Sequence, residues 1–120
     1  QPVHVIEATL DGDTSGLYCE AVQTIIIDEH MTDVQKRCSL THELFHWLHA
    51  DDSHAEYGKS HAEWRVRRET AMFLIDPADY VQAEREYDGE IYQMSCEMDV
   101  TVFLLEDYRR ILEYRQPIHD

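Results

Sequence analysis

The hydrophobic period of this chain changes once, near residue 30, and that change decides which folds are open to it. Before it, β-formers dominate. Val3, Val5 and Ile6 fall in a run over residues 3–10, Asp11-Gly12-Asp13-Thr14-Ser15-Gly16 reads as a turn, and residues 17–20 and 21–28 read as one or two further strands. Thr24-Ile25-Ile26-Ile27 is the strongest β run in the chain. After residue 30, apolar residues recur at helical spacing. Thr32-Asp33-Val34-Gln35 has the form of a capping box, and Val34, Cys38, Leu40, Leu44, Trp47 and Leu48 follow it, so a helix is expected to about Ala50. Asp51–Gly58 reads as a polar loop. A second helix, behind the capping-box pattern Ser60-His61-Ala62-Glu63, runs to about Ile75. Asp76-Pro77 ends it and opens a third over Pro77–Tyr87, with Asp as N-cap and Pro at the first helical position. Glu90–Met98 and Val102–Tyr114 complete the set. The expectation is an α+β fold, a small N-terminal antiparallel β-sheet packed on a mainly helical domain. With 120 residues and no linker or compositional break, one domain over residues 1–120 is expected.

Charge and cysteine content narrow the function classes. The net charge of −15 at pH 7 repels phosphate, so no direct nucleic-acid partner is expected. The one basic cluster, Arg65-Arg67-Arg68, reads as a solvated helix face pairing with nearby acids. No stretch approaches the ~18 apolar residues of a membrane span, and Gln1-Pro2-Val3-His4 lacks the regions of a signal peptide. Cys19, Cys38 and Cys96 are an odd set at wide spacing with no CxxC pair. They read as reduced, structural thiols, which points to a cytoplasmic setting.

The chemistry is concentrated in His42-Glu43-Leu44-Phe45-His46, an H-E-x-x-H pattern inside the amphipathic helix. Residues i and i+4 lie one turn apart on one face. Both imidazoles can therefore reach one zinc ion, and the intervening glutamate can take a proton from water that the metal activates. A catalytic zinc wants a third protein ligand, and several residues compete for that role. On the second helix Val66 reads as the centre of a buried stripe with Ala62, Thr70 and Phe73. At ~100° per residue Glu63 and Glu69 then lie about 60° to either side, and periodicity does not choose between them. Glu63 has a rival role as the last residue of the capping box, and Glu69 as an ion-pair partner of Arg65 or Arg68. Asp52, six residues after His46, sits where metzincin-like patterns carry a ligand, but His49 replaces the glycine that would turn the chain back. His49, His54 and His61 are further candidates, His49 too far along the helix to share the ion.

From about Gly16 to Pro77 the sequence resembles the ImmA/IrrE family of metallopeptidases. The strand ending Thr24-Ile25-Ile26-Ile27-Asp28 precedes Arg37-Cys38-Ser39-Leu40-Thr41-His42-Glu43-Leu44-Phe45-His46, similar to the family's R-x-T-L-A-H-E-L-x-H. The next helix, Glu63-Trp64-Arg65-Val66-Arg67-Arg68-Glu69-Thr70-Ala71 onward, is similar to its E-x-x-A-[N/D]-x-x-A. Met98-Asp99-Val100-Thr101 looks like its L-x-V-[T/S] ending. Arg67 stands where the family has Asn or Asp, and the Leu-rich end falls one residue late. The resemblance implies that Glu63, opening E-x-x-A, is the third zinc ligand, and that the substrate is a protein, often a transcriptional repressor.

These observations imply a zinc-dependent endopeptidase with metal ligands His42, His46 and Glu63 and catalytic base Glu43. By residue type, His61, Tyr57 and Tyr92 are candidates to stabilise the oxyanion. The competing expectation is an acidic protein-interaction module whose zinc is structural or whose site is inactive.

Overall fold

The computed structural model describes residues 2–51 and 59–115. Three strands come first: β1 (His4–Ala8), β2 (Gly16–Cys19) and β3 (Thr24–Asp28). Five helices follow: α1 (Asp33–Leu48), α2 (Lys59–Leu74), α3 (Pro77–Glu86), α4 (Ile91–Met98) and α5 (Val102–Arg115). The α+β class holds. The sheet, however, is mixed rather than antiparallel.

Its order is β1-β3-β2. β2 runs antiparallel to β3, with Gly16 opposite Ile27 and Cys19 opposite Thr24, whereas β1 runs parallel to β3, with His4 opposite Thr24 and Ala8 opposite Asp28. The reason lies in the middle strand. Thr24–Asp28 is the densest β-branched run, and it takes the centre, burying Ile25 and Ile27. β2 reaches it through a tight 3-10 turn over Glu20–Val22 and a left-handed Gln23 (φ 51°), which reverses direction. The link over residues 9–15 closes no β1–β2 hairpin and leads instead across to the other side of β3. Expecting consecutive strands to pair is right only about two-thirds of the time.

The helix signals act as expected. Thr32 accepts from the Gln35 N–H, and the Gln35 side chain accepts from the Thr32 N–H, so the capping box closes. Asp76 caps α3 through the Ala78 N–H. α2 differs: it begins at Lys59, which places Ser60 inside the helix and frees Glu63 from a capping role.

α1 divides the interior. On one side Leu40, Leu44 and Trp47 pack on Tyr18, Ile25 and Ile27 of the sheet. On the other, Cys38 joins a helical core that includes Ala71, Met94, Leu105 and Tyr108. Leu48 does not continue the sheet-facing row; it is 65% exposed at the end of α1. Among the described residues no helix is long and apolar enough to cross a membrane.

Candidate metal centre

His42, Glu43 and His46 occupy the part of α1 that faces neither pure apolar cluster. Glu43 is 4% exposed and His46 1%, while His42 is half-buried. α2 packs against α1 and brings Glu63 to the two histidines. Glu63 Oε1 lies 3.1 Å from His46 Nε2 and 3.3 Å from His42 Nε2, and Oε2 lies 3.1 Å from His42 Nε2. The imidazole centroids are 5.0 Å apart, edge to face, as one helical turn dictates.

This donor set fits a divalent ion. One ligand atom from each of the three residues lies within 4.8 Å of the others. A tetrahedral ion with bonds of ~2.0–2.1 Å spaces its ligand atoms by about 3.3 Å, close to the separations seen. Two imidazoles and a carboxylate are ligands that zinc accepts. Without an ion the same atoms satisfy one another electrostatically. Burial disfavours the imidazolium of His42, but the Glu63 carboxylate that accepts its Nε2–H outweighs burial and raises its pKa above the ordinary imidazole value. Burial likewise opposes ionisation of Glu63, and the bonds from His42 and His46 overcome it, holding its carboxyl well below the usual range.

β2 closes the other side. A Cβ on Gly16 would meet Ser39 Oγ at 2.6 Å, Glu43 Cγ at 3.1 Å and Ile27 Cδ1 at 3.2 Å. A glycine here lets the strand approach Glu43 closely. Glu43 is therefore held between a sheet strand and the motif's own helix.

The other sequence candidates fall elsewhere. The Glu69 carboxylate lies 2.6 Å from His49 Nε2 and is not one of the three groups that converge. His61 is exposed and stands two residues before Glu63, a spacing that does not share a helix face. Tyr92 is exposed on α4, which packs on α3 and α5. Asp52, His54 and Tyr57 lie outside the described residues. Two of the three basic residues of the cluster pair with acids. Arg65 Nη2 lies 2.6 Å from Asp51 Oδ2, and Arg67, one turn beyond Glu63, makes a two-armed bond of 2.6 and 3.0 Å to buried Asp107 of α5. That bond, in turn, raises the Arg67 pKa. It ties the helix that carries Glu63 to α5.

Asp51 was read as the first residue of a loop. Its carboxylate in fact reaches back to 3.9 Å from His46 Nδ1. The signal that would have revealed it, a glycine marking a left-handed helix stop, is absent, because Ala50 takes that conformation (φ 55°).

The family model Peptidase_M78, the IrrE N-terminal-like domain, matches residues 1–101. The match spans the sheet and α1 to α4, and so includes His42, His46 and Glu63. No curated protein and no solved structure matches the chain.

Proposed function

This chain belongs to the Peptidase_M78 family of metallopeptidases, and on that premise we propose that it is a zinc-dependent endopeptidase acting on a protein substrate. The observation that carries the proposal is the convergence of His42 Nε2, His46 Nε2 and the Glu63 carboxylate, with ligand atoms within 4.8 Å of one another, and Glu43 buried next to His42 on α1.

His42, His46 and Glu63 would hold the ion. A zinc ion held there supplies Lewis acidity, which acidifies water and polarises the scissile carbonyl. Glu43 acts as the general base. Its carboxylate takes a proton from the attacking water and returns it to the nitrogen of the departing amine, so that each turnover leaves Glu43 ionised again. Burial of Glu43, with its Cγ close to the Gly16 backbone, restricts its rotamers. The net charge of −15 favours a substrate with a basic face, such as a DNA-binding transcriptional repressor, by raising the rate of encounter.

The test is Glu43→Gln. The variant should keep about one zinc per chain and lose cleavage of a proteome-derived peptide library by at least ~10²-fold, the scale of general-base catalysis. A Glu43→Gln protein that cleaves as the wild type does would overturn the assignment. A zinc-loaded wild type that cleaves nothing in the library or in DNA-binding repressors would favour the interaction-module alternative.

A further inference from the structure

α1 ends in a Schellman arrangement. The Ala50 N–H donates to the Trp47 carbonyl at 3.0 Å, the Asp51 N–H donates to the His46 carbonyl at 2.9 Å, and Ala50 is left-handed at φ 55°. In this motif the sixth residue folds back over the first. Here the first residue is His46 and the sixth is Asp51, so the helix stop itself delivers a carboxylate to the turn that carries a buried imidazole.

The two edges of the His46 ring face different partners. Nε2 lies 3.1 Å from Glu63 Oε1. Nδ1 is buried and has no hydrogen-bond partner among the described residues, and the Asp51 carboxylate stands 3.9 Å away. That separation is too long for a hydrogen bond, and a shift of about 1 Å by either side chain would make one. Arg65 holds the carboxylate from the far side at 2.6 Å, and Arg65 belongs to the same helix that presents Glu63. Asp51 is therefore fixed twice, by the backbone of α1 and by a cation of α2.

A neutral imidazole that ligates through Nε2 must carry its proton on Nδ1. A buried N–H of this kind needs an acceptor, and among the described residues Asp51 offers a carboxylate 3.9 Å away. We propose that Asp51 is a positioning residue that accepts the Nδ1–H of His46, fixing the tautomer and ring orientation that turn Nε2 towards the metal, with Arg65 holding the carboxylate in place. This rests on the metal-site reading above. The carboxylate also raises the donor strength of the imidazole, so its contribution appears in metal affinity.

The experiment measures zinc affinity by chelator competition and the visible absorption of the cobalt(II)-loaded protein, for wild type, Asp51→Ala and Asp51→Asn. Asp51→Ala should weaken zinc binding about 10- to 100-fold and alter the cobalt bands. Asp51→Asn keeps an acceptor oxygen and the Schellman backbone, so it should recover part of the affinity. A role in stability alone would move the unfolding temperature of the metal-free protein and leave affinity and cobalt bands untouched. Should Asp51→Ala fail to fold, Asp51→Asn carries the test alone, with an affinity between about 2- and 20-fold below wild type expected from a charge-assisted bond reduced to a neutral one. Wild-type affinity and an unchanged cobalt spectrum in the variants would overturn the proposal while leaving the metal site standing. A wild type that binds neither ion would overturn both, and would do so before any variant is made.

Discussion

Gly16→Ala should damage the site from outside it. The added Cβ would stand 2.6 Å from Ser39 Oγ, 3.1 Å from Glu43 Cγ and 3.2 Å from Ile27 Cδ1. Relieving the first contact by rotating the Ser39 hydroxyl would disturb its bond to Ser15 Oγ at 3.2 Å. The other two need shifts of a few tenths of an ångström in a packed layer. Overpacking of this kind costs about 1–3 kcal/mol, which for a chain of this size lowers Tm by roughly 4–15 °C. The shift falls on Glu43, the proposed general base, and not on His42, His46 or Glu63. A displacement of ~1 Å can cost about 10² in rate, so a few tenths should lower kcat roughly 3- to 10-fold while zinc affinity stays at the wild-type value. Thermal unfolding, zinc titration and steady-state cleavage would be measured together. Adding Ser39→Ala removes the shortest contact and should return roughly 1 kcal/mol, visible as non-additivity in a double-mutant cycle. A Gly16→Ala protein with wild-type Tm and kcat, or a cycle with no coupling, would refute the claim that β2 holds Glu43 by close approach.

Two further outcomes follow from the same geometry. The pKa of His42 is raised above its ordinary 6.5 and that of Glu63 is lowered below its ordinary 4.5. Their joint contribution to the metal-free fold is thus full between those values, fades as pH rises through the raised His42 pKa, and fades as pH falls through the lowered Glu63 pKa. Metal-free Tm should therefore decline as pH rises above the ordinary 6.5 of His42, while the Tm gain on adding zinc should grow over the same interval, because the His42 imidazole must lose its proton to ligate. A metal-free Tm that rises across that interval, or a zinc gain that shrinks, contradicts the ionisation scheme. Separately, Ala50→Gly relieves a side chain held at φ 55° and should stabilise the fold by roughly 0.5–1 kcal/mol in chemical denaturation, the αL relief exceeding the entropy cost of glycine. A destabilised Ala50→Gly would mean that the helix does not stop in the left-handed form.

The helices were legible because their signals are local. Thr32 with Gln35, and Asp76 with Pro77, each act within a single turn, and the structure closes both caps. The sheet was legible in its strands and not in its order. Pairing is a non-local choice, and the run Thr24–Asp28 wins the central position by burying Ile25 and Ile27, which leaves β1 to lie parallel at one edge. Periodicity left Glu63 and Glu69 undecided because the expected stripe on α2 included Phe73 and omitted Ala71. Phe73 looks like core, yet it is 71% exposed, its ring set edge-on to that of Phe45. Ala71, absent from the expected stripe, is fully buried, so among the described residues the buried side chains of α2 are Val66, Thr70 and Ala71, and their mean direction lies roughly 60° round from Val66, towards Glu63. Glu69, on the opposite flank, meets His49 instead. The resemblance selected Glu63 where periodicity did not. Asp51 was hidden because an alanine, not a glycine, ends the helix. α5 adds support from beyond the stretch that the family model matches, through Asp107 on Arg67.

The central claim is that two imidazoles and one specific carboxylate form a metal site, and zinc content tests it most directly. Wild type, Glu63→Ala and Glu69→Ala would be purified without a metal-affinity tag, equilibrated with zinc, freed of excess and assayed by elemental analysis. The account predicts about one zinc per chain in wild type and Glu69→Ala, and a loss of most of it in Glu63→Ala, since a three-ligand site loses a charged donor. A Glu63→Ala protein that keeps its zinc while Glu69→Ala loses it would contradict the account.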